Sequence, residues 1–133
     1  MSLSLGPVLL FAKSLEATET FYRRLLGKDP KLKTSEVLIF DVEGHELVFI
    51  PDREPFQGNL AGLETEVIRG KGIILHLTAP DVDKEYRRLK KSGFDISSAP
   101  SDKPFGRRQM YIYDCNGYNI AIETVTPVTK NRA

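Results

Sequence analysis

An apolar run at residues 8–11 leads into Ser14, which can cap a helix. An amphipathic stretch then stops at Gly27, a second apolar run follows, and Asp41-x-x-Gly44 turns the chain into a last run ending at Ile50. The second half sets out the same order with residues 73–77, Asp81, a helical stretch closed by Gly93, residues 110–113, Asp114-x-x-Gly117 and residues 120–123. This duplicated strand-helix-strands unit constrains the fold more than any other feature. Two such copies can face each other across a cleft, and clefts are where small molecules bind. Ser14 and Asp81 lie 67 residues apart, Gly27 and Gly93 lie 66 apart, and Gly44 and Gly117 lie 73 apart, so the second copy carries a longer connection before its hairpin. The identical tetrapeptides Tyr22-Arg23-Arg24-Leu25 and Tyr86-Arg87-Arg88-Leu89 are 64 apart. They fall about one helical turn out of step with the caps and read as coincidence.

The 133 residues, 41% hydrophobic and 28% charged, suit a single domain with an ordinary core: module 1 at about 6–50, a connector at 51–72 and module 2 at about 73–124. A net charge of +1 gives no electrostatic reason to expect nucleic acid or an anionic membrane as partner. One cysteine, Cys115, cannot close an internal disulfide, which points to a reducing cytoplasm. The opening Met1-Ser2-Leu3-Ser4-Leu5 lacks the pattern of a signal peptide, and no stretch approaches the roughly 20 apolar residues that span a bilayer. The expectation is a cytoplasmic protein without nucleic-acid or membrane partners.

Leu15, Thr18, Phe21, Tyr22, Leu25 and Leu26 share one face of the first helix, Gly27 supplies its left-handed stop, and Pro30 prevents resumption. In the second helix Val82, Tyr86 and Leu89 form the inward stripe. Arg23, Arg24, Arg87, Arg88, Lys90 and Lys91 read as solvated residues that also suit the helix dipole. The connector is expected to hold a short helix around residues 60–66, with Phe56, Leu60 and Leu63 either packed or folded over a cleft as a lid. The tail from residue 127 is expected to fray.

Strand alternation carries the functional signal. At residues 119–123 the isoleucines share one face, and Asn119, Ala121 and Glu123 the other. At residues 73–78 the odd positions are apolar, while Ile74, His76 and Thr78 line the opposite side. Leu47 and Phe49 fall toward a helix, leaving Glu46, Val48 and Ile50 opposite. Gln109, Tyr111 and Tyr113 likewise share a face. If each helix covers the apolar face of its sheet, then His76, Glu123, Glu46 and Asn119 look into the cleft.

The strings Ser14-Leu15-Glu16, Phe21-Tyr22, Leu25-Leu26-Gly27, Pro80-Asp81-Val82-Asp83, Pro104-Phe105-Gly106-Arg107 and Tyr113-Asp114-Cys115-Asn116-Gly117, in this order, resemble the vicinal oxygen chelate superfamily. That group includes glyoxalase I, extradiol dioxygenases, fosfomycin-modifying enzymes, methylmalonyl-CoA epimerase and bleomycin-resistance proteins. The resemblance implies an α+β fold of two βαβββ modules forming a cupped mixed sheet with helices on its outer face, commonly as a homodimer. It also implies four metal-ligand places, one near the start of each module's first strand and one on its last strand. In this chain those places hold Pro7, Val48, Ile74 and Ala121, none of which can ligate a metal. His76, Glu123 and Glu46 lie two residues from vacant places, a shift of roughly 6 to 7 Å along a strand. A displaced centre built from them is the alternative to having no metal or cofactor.

Three functions compete. In the first, a groove binds a small organic molecule without metal, with Phe105 and Tyr111 stacking, Arg107 fixing an anion or carbonyl, and Gln109, Glu46 and Asn119 completing the contacts. In the second, His76 and Glu123 form the catalytic pair of a lyase, isomerase or dioxygenase of the superfamily, moving a proton next to a carbonyl. In the third, apolar Leu9, Phe11, Val48, Ile50 and Ile74 make the face an interaction seam.

Overall fold

The computed structural model describes residues 2–52 and 70–126. The connector helix, the lid residues Phe56, Leu60 and Leu63, and the tail from residue 127 lie outside the described residues. The chain divides into two compact units, Met1–Val67 and Ile68–Ala133. The first contains β1 (Val8–Ala12), α1 (Leu15–Leu26), β2 (Leu32–Lys33), β3 (Leu38–Val42) and β4 (His45–Pro51). The second contains β5 (Ile74–Thr78), α2 (Val82–Lys91), β6 (Ile96–Lys103), β7 (Arg107–Tyr113) and β8 (Asn119–Val125). The sheet orders are β1-β4-β3-β2 and β5-β8-β7-β6. In both, the module's first strand runs parallel to its last while the other neighbours are antiparallel. Each unit is therefore a βαβββ module of an α+β fold, as the family resemblance implies. The longer spacing in the second copy arises because β6 runs eight residues where β2 has two. Pro100 is tolerated in β6 because that strand is a sheet edge with an irregular register against β7.

The helix boundaries follow from the residues named in the sequence. Ser14 Oγ accepts the Ala17 N–H at 3.0 Å, and Asp81 Oδ1 accepts those of Asp83 and Lys84, satisfying donors that the first helical turn leaves free. Gly27, at φ 69°, ends α1 by donating its N–H to Arg23 O at 2.9 Å. Tyr22, fully buried, packs its ring 4.8 Å from Phe49 and 6.1 Å from Phe40. That contact identifies the helix side of the first sheet. Among the described residues no helix is long and apolar enough to cross a membrane.

In the second module two contacts mark the helix side. Asp83 on α2 holds the Arg108 guanidinium of β7 at 2.9 and 3.0 Å. Thr124 Oγ1 of β8 accepts the Val82 N–H at 2.7 Å and donates to Ala79 O, pinning the start of the helix to the sheet. Val82, Leu89, Met110, Ile112, Ile120 and Ile122 are all buried in this layer. The odd-numbered residues of β7 and β8 must then point the other way.

The two Asp-x-x-Gly strings make different turns. Val42 pairs with His45, so Glu43 and Gly44 alone form the first hairpin loop, and both have positive φ, 50° and 89°. Such a loop matches the strand twist, although glutamate is a poor occupant of its first position. In the second copy Tyr113 pairs with Asn119, leaving a five-residue loop. Buried Asp114 organises it, its Oδ1 accepting the N–H groups of Asn116 and Tyr118, each at 2.8 Å. Urea unfolding should therefore show Asp114→Ala destabilised by about 2 kcal/mol, because two buried donors lose their acceptor. Glu43→Asn should gain about 0.5 kcal/mol by fitting the positive φ.

Candidate functional site

On the face of the second sheet away from α2, three strands bring five polar side chains together. Thr78, Glu123 and Gln109 stand side by side in the register, with His76, Ala121 and Tyr111 in the next row and Ile74, Asn119 and Tyr113 beyond. Glu123 is only 4% exposed and is the centre of the group. Its Oε1 lies 3.2 Å from His76 Nδ1 and accepts from Gln109 Nε2 at 2.7 Å, and its Oε2 accepts from Arg107 Nε at 3.1 Å. Gln109, 1% exposed, uses its other end to accept the Tyr111 hydroxyl at 2.7 Å. Lys103 Nζ sits 5.8 Å from the centroid of the Tyr111 ring, within cation–π range.

Electrostatics assigns the protons. Burial pushes the Glu123 carboxyl up, but the hydrogen bonds from Gln109, His76 and Arg107, with the electrostatic attraction of the His76 ring, outweigh it. The group is held below its ordinary value of 4.5. An ionised carboxylate has no proton to donate, so the hydrogen between it and His76 belongs to Nδ1. In the neutral ring Nε2, on the opposite edge, is then left as an acceptor. The His76 side chain is 49% exposed.

His76 also lines a cavity of about 680 Å³, with Ile73, Ile74, Tyr113, Asn119 and the Gly70-Lys71-Gly72 turn in its wall. This size lies within the usual range for small-molecule sites. Asn119, also in the wall, has a buried Oδ1 with no hydrogen-bond partner among the described residues. An acceptor left in this way costs about 1–3 kcal/mol.

The structure thus gathers His76, Glu123, Arg107, Gln109 and Tyr111 into one network and sets Asn119 beside the cavity. Two expected site residues take no part in this network. Phe105 is 61% exposed at the turn between β6 and β7, and Glu46 of the first module forms an ion pair with Lys31. Arg107 donates through Nε and Gln109 through Nε2 to Glu123, and the Arg107 side chain remains 38% exposed. Of the apolar set, Val48 and Ile50 are buried, whereas Leu9 and Ile74 are each 43% exposed. Sequence reasoning missed Lys71, which it left in the connector. Its flanking glycines, both at positive φ, were the available signal.

The donor set does not fit the metal that the resemblance implies. Val48 and Ala121 are buried apolar residues, Pro7 and Ile74 offer no side-chain donor, and Glu123 is already committed to three donors, one of them a guanidinium. Among the described residues no three His, Cys, Asp or Glu side chains gather so that they could hold an ion.

The family model of the Glyoxalase/Bleomycin resistance protein/Dioxygenase superfamily matches residues 4–122. Among solved structures, a glyoxalase/bleomycin resistance protein/dioxygenase from Nocardioides is similar at TM-score 0.73 and 20% identity, covering 98% of this chain and 88% of that one. Lactoylglutathione lyase from Agrobacterium tumefaciens is similar at TM-score 0.71 and 20% identity, covering 93% and 95%. TioX from Micromonospora sp. ML1 is similar at TM-score 0.66 and 20% identity, covering 92% and 99%. At these identities the likeness is one of fold. No curated protein matches the sequence significantly.

Because the folded-state pKa of Glu123 is depressed, its contribution to stability is complete above the unfolded-chain value and is lost as pH falls through the lower folded value. Glu123→Gln should therefore be less stable than the wild type at neutral pH. The gap should narrow steadily as pH drops below about 4.5, measured by urea unfolding at each pH. A gap that stays constant down to about pH 3 would contradict this linkage.

Proposed function

The chain belongs to the glyoxalase/bleomycin resistance protein/dioxygenase superfamily, and from that premise we propose that it binds a small organic molecule in the cavity of its second module. His76 is the group that meets the ligand, and neither a metal nor a cofactor is required. The observation that carries this reading is the wall of the cavity. An imidazole anchored through Nδ1 by a buried carboxylate and the Asn119 side chain stand among apolar Ile73, Ile74 and the Tyr113 ring. A few fixed polar groups in a mostly apolar concavity are what small-molecule recognition needs. The proposal includes a homodimer in a reducing compartment, supported by exposed Leu9 and Leu32 on edge strands and by Cys115, an exposed thiol in no disulfide.

A second reading, as a lyase or isomerase, is favoured by one specific contact. Glu123 on Nδ1 orients the ring and stabilises the imidazolium that forms when Nε2 takes a proton. In this reaction the C–H bond next to a carbonyl breaks, its electron pair moves into the enolate, and Nε2 holds the proton until it returns. Glu123, buried and held ionised, positions the base and does not itself exchange the proton.

Two measurements test these readings. Native mass spectrometry of protein purified without chelators should show a dimer, a retained organic mass and no divalent ion. A bound divalent ion at unit stoichiometry would overturn the metal-free reading. In deuterium oxide, wild-type protein should exchange the carbon-bound protons of dihydroxyacetone, and His76→Gln should slow that exchange about 100-fold, followed by NMR. Equal rates in the two proteins would leave binding alone.

A further inference from the structure

The charges around the cavity describe what it holds. We infer that the second module recognises a small organic carboxylate, its negative charge met by Lys71 and its apolar body lying on Ile73, Ile74 and Tyr113. The inference rests on occupancy of the cavity proposed above and adds the class of ligand.

Lys71 is the only lining side chain with a permanent charge among the described residues, and no carboxylate lines the wall beside it. Its ammonium has no ion-pair partner among the described residues. Two nearby acids are already engaged. Glu123, behind His76, is matched by Arg107 at 3.1 Å, and Asp114, next to Tyr113, turns its carboxylate to the N–H groups of Asn116 and Tyr118 in its own loop. One uncompensated cation at a concave surface favours a ligand with one negative charge.

Lys71 also stands on a held turn. Gly70 and Gly72 adopt φ of 73° and 94°, and the Ile73 N–H closes back on Gly70 O at 3.2 Å. Gly70 lies so close to Tyr118 that an added Cβ would come within 2.6 Å of the ring's Cδ1, which ties the turn to the loop organised by Asp114. The lysine is thereby carried at the cavity rim by a turn packed against the sheet's own hairpin loop. Beyond it, Ile73 and Ile74 are each 43% exposed and Tyr113 is 42% exposed, an apolar surface on the same wall. An aryl or alkyl group covering them would remove that surface from water while its carboxylate reached the ammonium.

Three probes of nearly equal shape separate charge from shape: 3-phenylpropionate, 3-phenylpropanamide and 3-phenylpropylamine. Each is titrated into full-length protein and followed by amide NMR shifts. The carboxylate should shift the signals of Lys71, Gly72, Ile74 and Asn119. It should bind about 10-fold more tightly than the amide, with the amine weakest, and Lys71→Gln should remove most of that preference. Lys71 is exposed and makes no described ion pair, so the variant should retain the wild-type spectrum elsewhere. If the amide binds as well as the acid and Lys71→Gln changes nothing, the carboxylate assignment is overturned while the cavity stands. If none of the three shifts any residue of the wall, the binding reading itself fails.

Discussion

A carboxylate buried to 4% exposure needs partners, because an unpaired charge in a protein interior loses far more hydration than the fold can replace. Glu123 finds its partners on neighbouring strands: His76 from β5, and Arg107 and Gln109 from β7. They reach it only because β8 lies between those strands with the odd-numbered residues of β7 and β8 on the face away from α2. The arrangement links fold to chemistry. The helix layer takes Met110, Ile112, Ile120 and Ile122, which leaves the opposite face for polar groups, and the satisfied carboxylate then sets the orientation of the imidazole.

The duplication is complete in topology and incomplete in chemistry. Leu9 pairs with Val48 in the first module as His76 pairs with Ala121 in the second, and Phe11 pairs with Ile50 as Thr78 pairs with Glu123. The places of His76 and Glu123 are thus apolar in the first copy, whose β4 is buried from Leu47 through Ile50. Two copies of one fold have diverged into one with an apolar strand pair and one that carries a polar network. The superfamily's metal places are empty of donors in both, and the polar groups of the second module bond to one another. Membership in the superfamily and a different donor set at these places are compatible, since a scaffold constrains reaction type only through the side chains at its site.

Much of this was legible in the residues. Caps at Ser14 and Asp81, the stop at Gly27 and the strand alternation marked the repeated strand-helix-strands order and the shared face of His76 and Glu123, while the βαβββ module came from the family resemblance. Alternation reports a face but not a partner, so it could not divide labour between the two candidate acid–base residues. That division came from burial of Glu123 and from three hydrogen bonds whose donors are up to 47 positions away in sequence. The same limit applies to Arg107, whose bond to Glu123 alternation does not report. The two Asp-x-x-Gly strings looked alike, yet the register at Val42 and Tyr113 decides loop length, and register depends on the whole sheet. Lys71 escaped notice because a glycine-flanked lysine between modules has no periodic pattern to mark it.

The protonation state of His76 tests the link between the buried carboxylate and the exposed imidazole most directly. Long-range proton–nitrogen NMR of histidine-labelled protein at neutral pH should find the neutral ring of His76 protonated on Nδ1 and bare on Nε2, with that preference lost in Glu123→Gln. A wild-type ring carrying its proton on Nε2, or a tautomer balance unchanged by the substitution, would contradict the proposed role of Glu123.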